Sequence, residues 1–393
     1  MKLIERIWID NNKIIKKCRN LALDLAHFIN LMLILIHKYK EKYGRWIISE
    51  GVWYSLIANN ARKDFNNVKA EVLNNILNDK ELKEILEQVK QQKERIQNIS
   101  VIKACLRQIR KDFTSYFNAL KEYNNNPSKF TGEPKPPKPK KLKNITKFEV
   151  EFTQNSFEYP NDTSTIGLKL RIYDKKNKEV IYLKLPFHRR NVTSVRMILY
   201  HGSIYFDVVY EEELNPLKPL GNYEAAIDLG VENFVTLVSN NPKVESIIIS
   251  GGVLKNFNYW FNQKLSLYQS NFDKIRNIVE NNDNVDYKLV NQYYLWKRMI
   301  DKLCIHRKKW IDNYLHQVSQ ALARFLYFTG HSKVYIGKNI LEAKQGSELN
   351  SKANYIYYKF PYREFIEKLR YKCMISISSK IVIKYYQLII LKI

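Results

Sequence analysis

The chain has 393 residues, enough for two or three domains, and carries 65 Lys and Arg against 39 Asp and Glu, a formal net charge of +26. Such an excess excludes a neutral surface and selects a polyanionic partner, nucleic acid or an anionic membrane face. Four widely spaced cysteines (Cys18, Cys105, Cys304 and Cys373) with no Cys-x-x-Cys pair exclude a disulfide framework and a zinc ribbon, and point to reduced thiols in a cytoplasmic protein.

The first residues, Met1 to Arg6, lack the apolar region of a secretory leader. The longest apolar stretch, residues 21–36, is interrupted by Asp24, His27 and Asn30. It reads as a buried helix and not as a membrane span, so no membrane partner is expected. Residues 1 to about 123 are predicted helical. The clearest helix is 102–120, where Ile102, Leu106, Ile109, Phe113, Phe117 and Leu120 recur every three or four residues. Arg107, Arg110 and Lys111 lie off that stripe, as a phosphate-tracking face or a solvated one. Residues 79–97 are charged, rich in Gln and poor in aromatics, and read as an exposed helical arm.

A run of prolines and lysines follows, from Thr131 to Lys143. Proline fixes φ and removes donors, so this run is extended and polyproline-like. Lys135, Lys138, Lys140, Lys141 and Lys143 make it a candidate strap across a nucleic-acid backbone. From Phe148 to Tyr210 the apolar period switches to two, as in Phe148, Val150 and Phe152, then Val195, Met197 and Leu199. Short strands with tight turns predict an antiparallel sheet or a small barrel.

Residues 225–237, Ala-Ala-Ile-Asp-Leu-Gly-Val-Glu-Asn-Phe-Val-Thr-Leu, form two apolar strands about a glycine turn, with Asp228 at the end of the first. A rigidly held carboxylate is what a hard cation such as Mg²⁺ takes as ligand. Another strand, 246–250, precedes two long helices over 254–279 and 287–328. Arg298, Lys302, Arg307 and Lys308 lie on the second helix beside Trp296 and Trp310, so they can accompany bases stacked on aromatic rings. The closing strand, 333–339, completes the order of an RNase H-like core: three antiparallel strands, helices, then a strand parallel to the first.

In this order and spacing the chain resembles the transposon-encoded TnpB (OrfB) proteins, relatives of the type V CRISPR effector nucleases. The resemblance rests on residues 113–123 and 126–137, on Ala226-Ile227-Asp228-Leu229-Gly230-Val231 with Phe234 to Leu237, and on Ile249-Ser250-Gly251-Gly252. Ile336-Gly337-Lys338-Asn339 and residues 360–372 extend it. It implies an α+β multidomain protein. Residues 1–145 would form a helical recognition lobe, 146–215 a β-barrel-like wedge module, and 216–373 an incomplete RNase H-like (RuvC) domain. It also implies Mg²⁺-dependent cleavage of DNA directed by a guide RNA from the transposon end.

The family's site takes three carboxylates, of which Asp228 matches the first; Gly337 stands where many relatives carry a glutamate. After Cys373 the pattern is lost, and residues 374–393 read as an aberrant, truncated or frameshifted tail. The expected glutamate strand, zinc-ribbon cysteines and third Asp are not found in it. Glu342 and Glu348, in a loop after the strand, are the remaining candidate ligands. The expectation is therefore a DNA- and RNA-binding protein with a weakened or lost nuclease. The alternatives are an active nuclease with a rearranged site and a basic, non-catalytic RNA-binding protein.

Overall fold

A computed structural model describes residues 2–57, 67–142, 145–158, 168–174, 179–189, 191–213, 220–282, 285–337, 360–375 and 382–386. The chain divides into two compact units, Met1–Glu212 and Glu213–Ile393.

In the first unit, strand β1 (Lys2–Trp8) leads into α1 (Asn12–Tyr43), α2 (Glu50–Ile57), α3 (Asn67–Asn78), α4 (Lys80–Ile96) and α5 (Ile99–Asn125). Helix α1 starts where the Asn11 side chain accepts from the Lys13 and Ile14 N–H groups. It ends at Gly44, whose φ of 73° is the left-handed conformation glycine tolerates. By length and composition α1 is apolar enough to cross a bilayer, but more than half of its apolar window is buried inside the protein, including Leu25, Phe28, Met32, Leu35 and Ile36. Helix α4 corrects the reading of residues 79–97 as an exposed arm. Leu82, Leu86, Val89 and Ile96 are buried, and the Gln92 amide donates to the Asp24 carbonyl of α1 (2.9 Å). Four apolar residues at helical spacing suffice to seat a helix whose other faces are charged.

The expectation of helix from residue 1 fails at β1, which pairs along its whole length with β7. The strands that follow the helices are β2 (Lys147–Thr153), β3 (Phe157–Glu158), β4 (Lys169–Asp174), β5 (Glu179–Lys184), β6 (Val192–Tyr200) and β7 (Ser203–Glu211). The predicted alternation is met: Val150, Phe152, Val195, Met197, Ile204, Phe206 and Val208 are buried. The β6–β7 hairpin turns at His201 and Gly202, both with positive φ (47° and 78°), the conformation a two-residue turn of matching twist needs.

No closed barrel forms among the described residues. The strands make a four-stranded sheet, β1-β7-β6-β2, and a separate three-stranded sheet, β3-β4-β5. Closure needs one continuous staggered ladder, and the 3-10 turn Gln154–Ser156 between β2 and the two-residue β3 interrupts it. A charged row crosses the larger sheet. Buried Asp207 on β7 receives both Arg6 of β1 (2.7 and 2.9 Å) and, at 3.8 Å, Arg196 of β6. The Arg6 guanidinium also lies 4.6 Å from the Tyr205 ring centre, and burial pushes the Tyr205 phenol up to about 12.

The second unit contains β8 (Tyr223–Asp228), β9 (Asn233–Ser239), β10 (Ile247–Ser250), α6 (Gly252–Asn281), α7 (Tyr287–Phe328), β11 (His331–Gly337), α8 (Tyr362–Ile375) and β12 (Val382–Tyr386). The sheet order is β10-β9-β8-β11-β12, with β8–β9 and β9–β10 antiparallel and β11 parallel to both β8 and β12. Ala225, Ile227, Phe234, Leu237, Val334 and Ile336 turn one face into a core with Leu315, Leu322 and Leu326 of α7 and Phe365 and Leu369 of α8. Phe234 sits at its centre, ringed by Tyr314, Phe360, Tyr362 and Phe365.

Two described segments fall within residues 374–393. Helix α8 runs to Ile375, and β12 supplies the fifth strand of the sheet. Val-Ile-Lys-Tyr-Tyr can add to an edge because backbone pairing asks only for an extended, β-prone sequence.

At the end of the sheet away from Asp228, His331 is buried. Its Nδ1–H faces the Leu326 carbonyl (3.2 Å) and Thr329 Oγ1 (2.8 Å), and its Nε2 accepts from the Ser239 hydroxyl (2.6 Å). Burial holds the imidazole below the ordinary histidine value. The unfolded chain therefore takes up a proton that the folded chain refuses. Stability is fully present above the unfolded value, about 6.5, and falls as pH drops below it, levelling off once pH is under the folded-state value. Urea midpoints measured at pH 7.5 and 5.5 should differ more for the wild type than for His331→Gln.

A second prediction concerns Gly251. A Cβ built there would lie 1.9 Å from the Val231 carbonyl oxygen, and the Gly251 N–H donates to the Glu232 carbonyl at 2.7 Å. The Gly251→Ala variant should lose about 1–3 kcal/mol of stability by overpacking, seen as a lower urea midpoint with an unchanged slope.

Candidate nucleic-acid interface and catalytic edge

Strand β8 alternates, with Ala225 and Ile227 buried in the core and Glu224, Ala226 and Asp228 on the other face. Asp228 is exposed at the carboxy-terminal end of the middle strand. The turn after it is held from α6: Gly251 packs on Val231 and Glu232, and Lys255 Nζ pairs with Glu232 (2.5 Å). Gly230 is required in this turn because a Cβ there would meet the Asn233 carbonyl oxygen at 2.9 Å.

Register decides what stands beside Asp228. Asp228 pairs with Thr236, which pairs with Ile248. On the other side Ile336 pairs with Ile227, so Gly337 falls level with Asp228, and Gly337 pairs with Tyr386. The row reads Ile248, Thr236, Asp228, Gly337, Tyr386 and has one carboxylate. Along β8 on the same face, Glu224 is engaged by Lys333 (2.7 Å) and by the Tyr335 hydroxyl (3.0 Å). Glu232 is taken by Lys255. Among the described residues no group of three His, Cys, Asp or Glu side chains could hold a metal ion. Two divalent cations share several carboxylates, so the described donors do not fit the Mg²⁺ pair that the resemblance implies. Glu342 and Glu348 lie outside the described residues.

The proline-lysine strap is seated on α1. The Asn30 amide donates to the Lys140 carbonyl (2.7 Å) and accepts from the Lys140 N–H (2.8 Å). His37 Nε2–H donates to the Pro137 carbonyl (2.7 Å). The spacings of helix and strap match. Asn30 and His37 are two turns apart on one face, about 10.5 Å along α1, and three residues of polyproline II span about 9.3 Å. His37 is itself set by Trp46 and Phe113, with ring centres 5.0 and 6.4 Å away. Lys135, Lys138, Lys140 and Lys141 stand on this anchored backbone; Lys143 lies outside the described residues.

The other basic residues fall on two helices. On α5, Arg110 and Lys111 are exposed and Arg107 is half-buried. The stripe beneath them is buried at Ile102, Leu106, Ile109 and Phe113, while Phe117 and Leu120 are only partly covered. On α7, Arg298 and Lys302 lie one turn apart, and Lys308 is half-buried. Arg307 turns inward: it donates to Asn258 Oδ1 of α6 (3.2 and 2.9 Å) and lies over the Phe261 ring at 5.1 Å. It ties α6 to α7, because a guanidinium within a helix pair finds its acceptors there before it finds a ligand. Sequence reasoning missed the anchors Asn30 and His37. The signal available was their polarity within an apolar helix, which the interruption of residues 21–36 at Asn30 registers.

Residues 207–341 match the family model OrfB_IS605, described as a probable transposase. Among solved structures, the chain is similar to one of a Cas12f1–sgRNA–target DNA complex at 14% identity, covering 95% of this chain and 73% of that one, with a TM-score of 0.45. A CRISPR–Cas12f ternary complex is similar at 15% identity, covering 95% and 72%, with a TM-score of 0.28. No curated protein sequence matches.

If the anchored strap presents lysines to a phosphate backbone, releasing it weakens binding without removing charge. The Asn30→Ala, His37→Ala double variant should bind DNA several-fold more weakly at 100 mM salt while keeping its net charge. Fluorescence anisotropy against a labelled duplex measures this.

Proposed function

On the premise that residues 207–341 are those of the OrfB family of probable transposases, we propose that this chain is a TnpB-type nucleic-acid-binding protein. Among the described residues its RNase H-like (RuvC) centre keeps one carboxylate, Asp228, of the set a two-metal nuclease needs. DNA is its target and an RNA its guide, the latter on the strength of the family resemblance. The observation that carries the reading is the row Asp228, Gly337, Tyr386 across three neighbouring strands of the sheet.

The basic surface supports the binding half of the proposal. With a net charge of +26, lysines fixed on an anchored strap and exposed basic residues on α5 and α7, counterion release supplies affinity that does not depend on Asp228. The chemistry half follows from charge balance. In RuvC-type enzymes bound divalent cations activate the attacking water and stabilise the leaving oxygen. A single exposed aspartate, whose nearest partners on the sheet are a glycine and a tyrosine, holds such cations weakly. What this chain's own residues do at the edge is keep Asp228 fixed: Gly251 and the Lys255–Glu232 pair clamp its turn, and the β11 ladder fixes its strand.

Two measurements test the two halves. DNA binding should fall steeply with salt, and replacing strap lysines by Gln should reduce the log–log slope by up to about 0.9 for each phosphate that is no longer neutralised. In a cleavage assay with Mg²⁺ or Mn²⁺ and a guide RNA transcribed from the transposon end, wild type and Asp228→Ala should give the same background. Robust cutting that disappears in Asp228→Ala would overturn the incomplete-site reading and favour a rearranged site drawing on Glu342 or Glu348.

A further inference from the structure

The joint between α4 and α5 opens onto a polar cavity of about 500 Å³, walled by that joint, by the turn after β2 and by β4. Three of its lining residues, Lys103, Arg107 and Arg171, are cationic and none is acidic. Lys103 and Arg107 are one turn apart on α5, about 6 Å between Cβ atoms, and Arg171 comes from β4. Among the described residues neither Arg107 nor Arg171 has an ion-pair partner, and Lys103 rests its ammonium 4.5 Å from the centre of the Tyr54 ring. Three like charges around one concavity repel each other, an arrangement that an anion relieves.

The walls are preformed. Gln97 closes α4 in the left-handed conformation (φ 48°), and its N–H donates to the Lys93 carbonyl. The next residue, Asn98, caps α5 through the Val101 N–H (3.2 Å), and its amide reaches the Arg171 carbonyl (3.4 Å) while its Oδ1 accepts from Ser156 Oγ (3.5 Å). One side chain therefore ties the helical joint to β4 and to the turn after β2.

We propose that this cavity seats an unpaired nucleotide of a single strand, with its phosphodiester on Lys103, Arg107 and Arg171. The lining is too polar for an apolar small molecule, whose pockets are mainly hydrophobic. The amides of Gln97 and Asn155 and the hydroxyls of Ser100 and Thr153 are hydrogen-bonding groups suited to sugar and base edges. Ile99, 54% exposed at the rim, offers the one apolar surface on which a base can lie. RNA and DNA share this chemistry, and the assay separates them. The proposal rests on the nucleic-acid-binding reading above but uses residues apart from the strap.

The experiment measures binding of the full chain to labelled 12-nucleotide oligouridylate, oligothymidylate and a DNA duplex across a salt series. In the Lys103→Gln, Arg107→Gln, Arg171→Gln variant, single-strand affinity should drop more than tenfold, with the log–log salt slope reduced by about 0.7, the value for one neutralised phosphate. Duplex binding should change less. Ser100→Trp, which fills the cavity and keeps every charge, should also weaken single-strand binding, and it serves if the triple variant does not fold. A drop confined to one oligonucleotide assigns the strand to RNA or to DNA. Unchanged single-strand binding in both variants, with the strap-lysine variant still weakened, overturns the cavity and leaves the general reading intact. Wild-type protein that binds none of the three probes overturns both.

Discussion

Val334, Tyr335 and Ile336 pair in parallel with Ala225, Ala226 and Ile227, about a hundred residues earlier in the chain, and the second unit depends on that ladder. Parallel neighbours need a crossover, here the paired helices α6 and α7, and α7 returns along the sheet to bury Leu315, Leu322 and Leu326 on its inner face. The pairing makes β8 an interior strand. It therefore fixes Asp228 at the middle of the carboxy-terminal edge, and it levels Gly337 beside it. Were the register to slip by one residue, Ala225 and Ile227 would leave the core and Asp228 would turn inward, at the cost of burying an unpaired charge. The same apolar contacts that stabilise the sheet thus orient Asp228 at its edge.

The chemistry available at that edge follows from what the neighbouring strands carry. Glycine at 337 has no side chain to offer, and β12 brings no Asp or Glu in Val382–Tyr386. Glu224, on Asp228's own face, is consumed by Lys333 and Tyr335. Sheet stability depends on apolar area and ladder hydrogen bonds and not on edge carboxylates, so the described strands pair whatever side chains their ends carry.

In the first unit the organising device is different. An extended, proline-rich run has no internal hydrogen bonds, so its carbonyls must be satisfied from elsewhere. Asn30 and His37 of α1 do this at Lys140 and Pro137. Anchoring the backbone lowers the conformational entropy of the strap before it meets any ligand. The half-buried Arg6–Asp207 pair has a similar positioning role in the four-stranded sheet, where it fixes β1 against β7 by a bidentate contact that a shifted register would break.

Much of this was legible in residue order. Period-3.6 and period-2 patterns located α5, α6, α7 and the strands β6 to β11, because those patterns are imposed locally by which face is buried. Asp228 was legible because an apolar strand, a carboxylate and a glycine turn are adjacent in the chain, and the charge excess was legible by counting. The placement of β1 in a sheet with β7, the seating of α4 and the strap on α1, the inward turn of Arg307 and the entry of residues 382–386 into the sheet were decided by tertiary structure alone. Each depends on a partner far away in the chain, and no local pattern encodes which distant surface will satisfy a backbone, a guanidinium or an apolar stripe.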